Sequence, residues 1–523
     1  MRSSRYESAE RKGAGTRRGP DPDLARGSRR SRPRRGCGSL REERIVVAGP
    51  ADHRQDPRRP RYRREAASRI LVRLAAQPFR FPRRRVRAGG FRRGARRREV
   101  TASGSRAAQG PTSLAEMARL TGEFADWHNL HYMAMWLTGE LDVAALRDAW
   151  WRVCLRHDAL RRTYLSPEEA RTDGDALSEV EFLTAASDAD AVELMSRFIG
   201  RPFDLGGPSF SRVAVVRCGE RRHLFGIAID HIINDLASWA LIRADFTEFY
   251  RRALTGDSGD VTAAGSYQSF ASEERRLFAG RWGQECRAFW RSYVDEFGTV
   301  PAPFPVGGDT TGAYRPRTIS RVLPADAKAR LHALSLEARA TPFAAVTAGV
   351  LAAAKEVTGD PVAGISVNQH GRMLPGTSQT AGLFVQTVPL HLGAPHKSPA
   401  EAVREVFHRT HDVFEYSVPL LVAGRYWSET LMVPDRQAGL YVSLNEEPPS
   451  SHDLPPFAGT EAEYVELDVP GGKRFPETVV VAWNLYETGP ELVAHYNEDR
   501  FPGEAVEQLL EAAERFVLPA DAQ

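Results

Sequence analysis

From about residue 111 onward the apolar positions of the chain keep regular periods. A short apolar run at 224–229 is bounded and too brief for a helix of useful length, so it reads as a buried strand. Beyond it Trp239, Ile242, Phe246 and Phe249 fall at i, i+3, i+7 and i+10, a single apolar stripe on a helix. Between the two lies a polar knot of Asp230, His231, Asn234 and Asp235. The pattern therefore predicts a strand that passes to a helix through a histidine flanked by two carboxylates. Such a turn presents a base on rigid backbone, with a carboxylate near enough to fix the imidazole tautomer.

The same periods predict the neighbours of this turn. Residues 127–137 read as a strand, and Asp142 caps a helix with an apolar face of Val143, Leu146, Trp150, Val153, Cys154 and Leu160. A helix over 189–199 precedes strands at 211–217 and 224–229, which form a hairpin. Two aromatic-rich helices cover 267–293, and a Pro- and Gly-rich stretch at 298–317 reads as a linker between lobes. In the second half, helices are predicted at 325–338 and from the Thr341 cap with Pro342 to about residue 357. A strand at 361–367, a loop at 368–378, a segment at 380–392, a helix at 399–416, a hairpin from 478–486 and 491–496, and a closing helix at 503–517 complete the chain.

Composition changes this picture mainly at the N-terminus. Residues 1–110 hold 33 Lys and Arg against 10 Asp and Glu, leaving 38 against 57 for the rest, so the overall charge of +4 hides halves of +23 and −19. This Arg-, Gly-, Pro- and Ser-rich segment buries too little apolar surface to offset its chain entropy, and disorder is expected. It reads either as an anionic-surface arm or as GC-rich DNA translated upstream of a true start at Val100 or Met117. The acidic balance of the remainder argues against nucleic-acid binding. No apolar run approaches the roughly 20 residues that cross a bilayer, and four scattered cysteines give neither a disulfide framework nor metal-ligand spacing. A cytoplasmic monomer with no membrane, metal or bound cofactor is expected. There is no phosphate-binding Gly loop, GxSxG elbow or HExxH.

The order of motifs resembles the condensation domains of nonribosomal peptide synthetases, within the chloramphenicol acetyltransferase-like acyltransferases. Arg156-His157-Asp158-Ala159-Leu160-Arg161 is similar to RHxxLR, Pro202-Phe203-Asp204-Leu205 to PFDL, and the knot from Asp230 to Leu236 stands where HHxxxDG belongs. Tyr267 and Phe289-Trp290 resemble the Y…yW region, residues 382–387 GxFVNT, and Tyr496-Asn497 with Phe501 the terminal YNxxLF. The resemblance implies an α/β fold of mixed sheets and helices, in two lobes (111–300 and 301–523) that form a V-shaped pseudo-dimer around a channel. It further implies a free-standing acyltransferase that draws on a thioester held by phosphopantetheine on a carrier protein in trans, or by CoA, and joins it to a small-molecule amine or hydroxyl. His231 would be the catalytic base or orienting group. Asp235 would be structural, paired with the arginine matching Arg161, and Asp230 would support the fold. Leu236, Ser238 and Gln386 would line the channel.

Four positions depart from the family pattern. Asp230 replaces the first signature His, Leu236 the Gly, Gln386 the Asn of GxFVNT, and His391 the Arg that usually closes that strand. An isobutyl group in place of Gly narrows the space beside His231. That leaves a second expectation open, a condensation-like domain without chemistry that binds a carrier protein or a tailoring enzyme. Read alone, His128, His131 and His370 are ordinary surface or core histidines.

Overall fold

The strand-to-helix turn that carries His231 forms because an apolar strand meets a capped amphipathic helix, and the rest of the fold is arranged around that junction. The computed structural model describes residues 108–519 apart from 122–129, 173–177, 258, 260, 299–314, 394, 420–421, 423–426, 428–438, 447–456, 470–477 and 488. Residues 1–107 of the basic tail, His128 and most of the predicted linker lie outside the described residues, whereas residues 108–110, expected to be disordered, belong to a strand paired with residues 170–172.

The first half runs β1 (Ala108–Pro111), α1 (Leu114–Thr121), β2 (Leu130–Gly139), α2 (Val143–Arg156), a 3-10 turn at Asp158–Arg161, β3 (Arg162–Tyr164), β4 (Glu169–Thr172), β5 (Val180–Thr184), α3 (Asp188–Gly200), β6 (Ser211–Arg217), β7 (Arg222–Asp230), a 3-10 turn at His231–Ile233, α4 (Leu236–Leu254), α5 (Tyr267–Ala279) and α6 (Arg281–Phe297). The second half adds β8 (Pro316–Val322), α7 (Ala327–Ala338), α8 (Pro342–Thr358), β9 (Ala363–Gln369), β10 (Gln386–Leu392), α9 (Pro399–Glu415), β11 (Gly439–Asn445), β12 (Thr460–Tyr464), β13 (Thr478–Asn484), β14 (Glu491–Asn497) and α10 (Gly503–Val517). No helix among the described residues is long and apolar enough to cross a membrane.

Each half is built on one mixed sheet. The first has the order β12-β2-β7-β6-β5 and the second β10-β9-β11-β13-β14-β8, with a small third sheet β1-β4-β3. In β7 the run predicted to be buried is covered on both faces, as an all-apolar strand requires. Phe225, Ile227 and Ile229 join a core with Leu146 and Trp150 of α2 and Ile242 and Phe246 of α4. Leu224 and Ala228 face Met195 and Ile199 of α3. At Gly226 a Cβ would meet the Met195 side chain of α3, which packs directly on the strand backbone there.

The chain crosses the division at residue 300 in both directions. β12, from the second half, pairs antiparallel with β2, Thr460 opposite Gly139 and Tyr464 opposite Met135. In the opposite sense, Cys286, Trp290 and Tyr293 of α6 pack into the apolar core of the second half with Val403, Val406 and Trp483. Position along the chain therefore does not assign an element to a lobe. The segment 380–392 is strand only from Gln386. Its first residues instead turn their backbone toward the His231 junction, as described next.

Candidate active site

β7 ends at Asp230, whose N–H is held by the Phe210 carbonyl at 2.8 Å. The Oδ1 of the buried Asp230 carboxylate accepts from Ile232 N at 2.8 Å and so caps the 3-10 turn that carries His231. Burial raises its pKa to about 6, against the opposing charge of Arg119 and Arg212. His231 itself is half-buried at the start of this turn.

Asp235 then caps α4, accepting from Ser238 N at 2.8 Å. Its cation is Arg372, Nη2 to Oδ1 2.7 Å, with both side chains almost fully enclosed. This corrects the pairing expected from the resemblance: Arg161 sends Nε to the Cys154 carbonyl at 2.9 Å and braces α2. Arg372 reaches Asp235 from a loop of the second half. Gly371 holds that loop at φ +67°, with the Phe384 carbonyl 1.8 Å from where a Cβ would stand, so no larger residue fits. Arg372 Nη1 donates to the carbonyls of Thr377 (3.1 Å) and Thr380 (2.8 Å), and its guanidinium carbon lies 3.9 Å from the Phe384 ring centroid. Asp235 Oδ2 also accepts from Phe384 N at 3.1 Å.

Two residues expected to line a channel do not. Ser238 is fully buried; its hydroxyl lies 2.7 Å from Asp235 Oδ1 and 2.8 Å from the Gly382 carbonyl, and accepts from Gly382 N and Arg372 Nη2. A hydroxyl with this many protein partners is a tie between the halves. Gln386 is buried at the start of β10 and donates to Glu274 Oε1 at 3.2 Å. The third, Leu236, is 74% exposed at the first position of α4. His391, where the family has Arg, is buried, touches Tyr293 Oη through Nδ1 at 3.1 Å, and has its pKa lowered to about 4 by burial and Arg409.

The RHxxLR-like residues brace α4 from behind. Asp245 accepts from Arg156 Nε at 2.6 Å and lies 2.8 Å from His157 Nε2. Partial burial pushes its carboxyl up, but the hydrogen bonds and charge from His157 and Arg156 outweigh this and hold it below the usual range.

A second imidazole stands at the turn. The His131 ring, on β2, is centred 4.9 Å from that of His231 and 6.0 Å from Trp239, and its Nδ1 is 2.8 Å from Asn234 Nδ2. Periodicity in β2 gives His131 no special place, but the pairing with β7 does: His131 lies opposite Ile229, so His231 is its diagonal neighbour. His370 belongs to the second half, where its Nδ1 accepts from Arg372 N. The set with metal-binding spacing among the described residues, His411, Asp412 and Glu415, is exposed on α9 and shares nothing with this turn.

These features describe a braced, half-open histidine, and comparison with known proteins gives them a family. Residues 123–420, more than half of the chain, match the condensation domain family, and the chain belongs to that family. It is 25% identical over 282 residues to tyrocidine synthase 3 of Brevibacillus parabrevis and 25% identical over 392 residues to cyclosporin synthetase simA of Tolypocladium inflatum. Those matches cover 52% and 70% of this chain but only 4% and 2% of the synthetases, so the chain spans a small part of either. Among solved structures, the X-domain in complex with OxyB from teicoplanin biosynthesis has a TM-score of 0.66 at 19% identity, over 81% of this chain and 96% of that one. The first condensation domain of the calcium-dependent antibiotic synthetase has 0.58 at 20%, over 79% and 97%. The fold is thus that of two chloramphenicol acetyltransferase-like lobes.

Proposed function

We propose that the protein is an acyltransferase of natural-product biosynthesis that moves an acyl group from a thioester to an amine or hydroxyl. The observation that carries this reading is the His231 turn, where a half-exposed imidazole stands on a turn capped by Asp230 and is followed by the buried Asp235–Arg372 pair. The thioester would be carried on phosphopantetheine by a separate carrier protein, or on CoA, and no bound cofactor is needed. His231 orients the acceptor and takes its proton as the nitrogen or oxygen attacks the thioester carbonyl. The C–S bond breaks, the amide or ester forms, and the proton leaves with the thiol.

Incubating the full chain with acyl-pantetheine thioesters and a panel of amines and alcohols tests this. Product that disappears in His231→Ala supports the reading; product that persists in His231→Ala overturns it.

One observation favours a second reading. Leu236, at the start of the helix that follows the His231 turn, carries a largely exposed isobutyl group where the family pattern has Gly. If it closes the approach to the histidine, the domain serves as a docking platform for a carrier protein or tailoring enzyme, in the manner of the X-domain solved with OxyB. Leu236→Gly separates the two: product gained only on this change assigns the native chain to docking, whereas native activity that the change leaves intact assigns it to catalysis.

A further inference from the structure

We propose that His131 is a positioning residue for His231, a second imidazole that fixes the ring on which the proposed acyl transfer rests. The sheet register brings it there, since His131 follows the same face of β2 as Met133 and Met135 and lies opposite Ile229 of β7. Its ring is centred 4.9 Å from that of His231 at 37°, within the range of favourable aromatic contact. Trp239 of α4 approaches His131 at 6.0 Å.

Asn234 ties His131 to the turn. Its side chain is fully buried, and its amide lies 2.8 Å from His131 Nδ1, so the ring is held at one edge by the same turn that carries His231. In this chain, whose first signature position holds Asp230 turned away to Ile232 N, a histidine from the neighbouring strand stands beside the working one.

The test compares His131→Ala, which removes the ring, with His131→Phe, which keeps a ring and removes the nitrogens, both in the full chain. The rate at which diethylpyrocarbonate modifies His231 is followed by mass spectrometry of its peptide at one pH, with His332 and His396 of the second half as internal references. His131→Ala should raise His231 modification several-fold while the reference histidines stay unchanged, and His131→Phe should restore the native rate. Under the acyl-transfer assay, His131→Ala should lower kcat by about ten- to a hundredfold at unchanged KM, as a misplaced base does, with recovery in His131→Phe. Unchanged His231 modification in His131→Ala, or failure of Phe to restore it, overturns the proposal. Because the modification rate needs no substrate, it decides the role of His131 even where His231→Ala shows the acyl-transfer reading to be wrong.

Discussion

Arg372→Met is the perturbation that bears most directly on how the site is held. The change removes the guanidinium paired with Asp235 and leaves a buried carboxylate with three donors among the described residues, Ser238 N, Ser238 Oγ and Phe384 N. It also removes the Arg372 donor from the Thr380 carbonyl and one of two donors from the Thr377 carbonyl, which keeps Thr380 N at 3.1 Å. Breaking one side of a buried ion pair costs about 3–5 kcal/mol because the other charge stays buried. The three surviving bonds to Asp235 place the expected loss near the lower end, about 3 kcal/mol. Urea unfolding of the full chain, followed by tryptophan fluorescence, measures it. A double-mutant cycle of Arg372→Met with Asp235→Asn should give a coupling of about 1–3 kcal/mol, whereas Arg161→Met with Asp235→Asn should add within about 0.5 kcal/mol. The reasoning fails if Arg372→Met costs less than about 1 kcal/mol, or if the coupling runs to Arg161 instead.

Other outcomes follow from buried groups. Burial raises Asp230 from 3.8 to about 6, so the folded state keeps its proton while the unfolded chain loses it, and stability falls as pH rises from about 4 to 6. Asp230→Asn removes that dependence and should gain up to about 3 kcal/mol over the native chain at pH 8 compared with pH 4, read from unfolding curves at both pH values. Glu274, raised to about 7 by burial, behaves the same way over a window from about 4.5 to 7; Glu274→Gln should flatten the native chain's loss of stability between pH 5 and pH 8, and a steeper loss would contradict the assignment. Phe457 packs edge-on against Phe225, Phe246 and Tyr250, so Phe457→Ala should cost about 3–5 kcal/mol and speed hydrogen exchange at residues 460–464.

Long apolar periods with explicit ends were legible in the sequence. α10 occupies residues 503–517 as predicted, α8 starts at the Thr341 cap, and the hairpin that feeds His231 is β6 and β7. Strands with little apolar content were not. β12, Thr460–Tyr464, exposes four of its five residues, and β8 buries none of its seven, so neither carries a period of two. The site shows the same split. A motif gives the neighbours of His231 along the chain, but not the direction of a side chain: Gln386 sits at a motif position and Ser238 just past one, and both turn inward. Nor does it give partners from afar. Arg372 is 137 residues from Asp235, in a loop with no periodicity, and only the folded second half brings it there. His131 needed the register between two strands, which a single sequence does not supply.

The pairing of β12 with β2 also governs the order in which the molecule can be made. β2 is synthesised early, yet its outer edge has no partner until the segment around residue 460 has left the ribosome. Until then a strand bearing Met133, Met135 and Trp136 keeps a row of unpaired backbone groups, a template for the wrong chain. Closing contacts across so much sequence is slow, so a nascent chain stalled before residue 460 is the species most exposed to aggregation and to chaperone capture. A fragment ending at the residue 300 boundary would inherit the same open edge and is expected to be insoluble, whereas supplying the β12 segment as a peptide should improve its recovery.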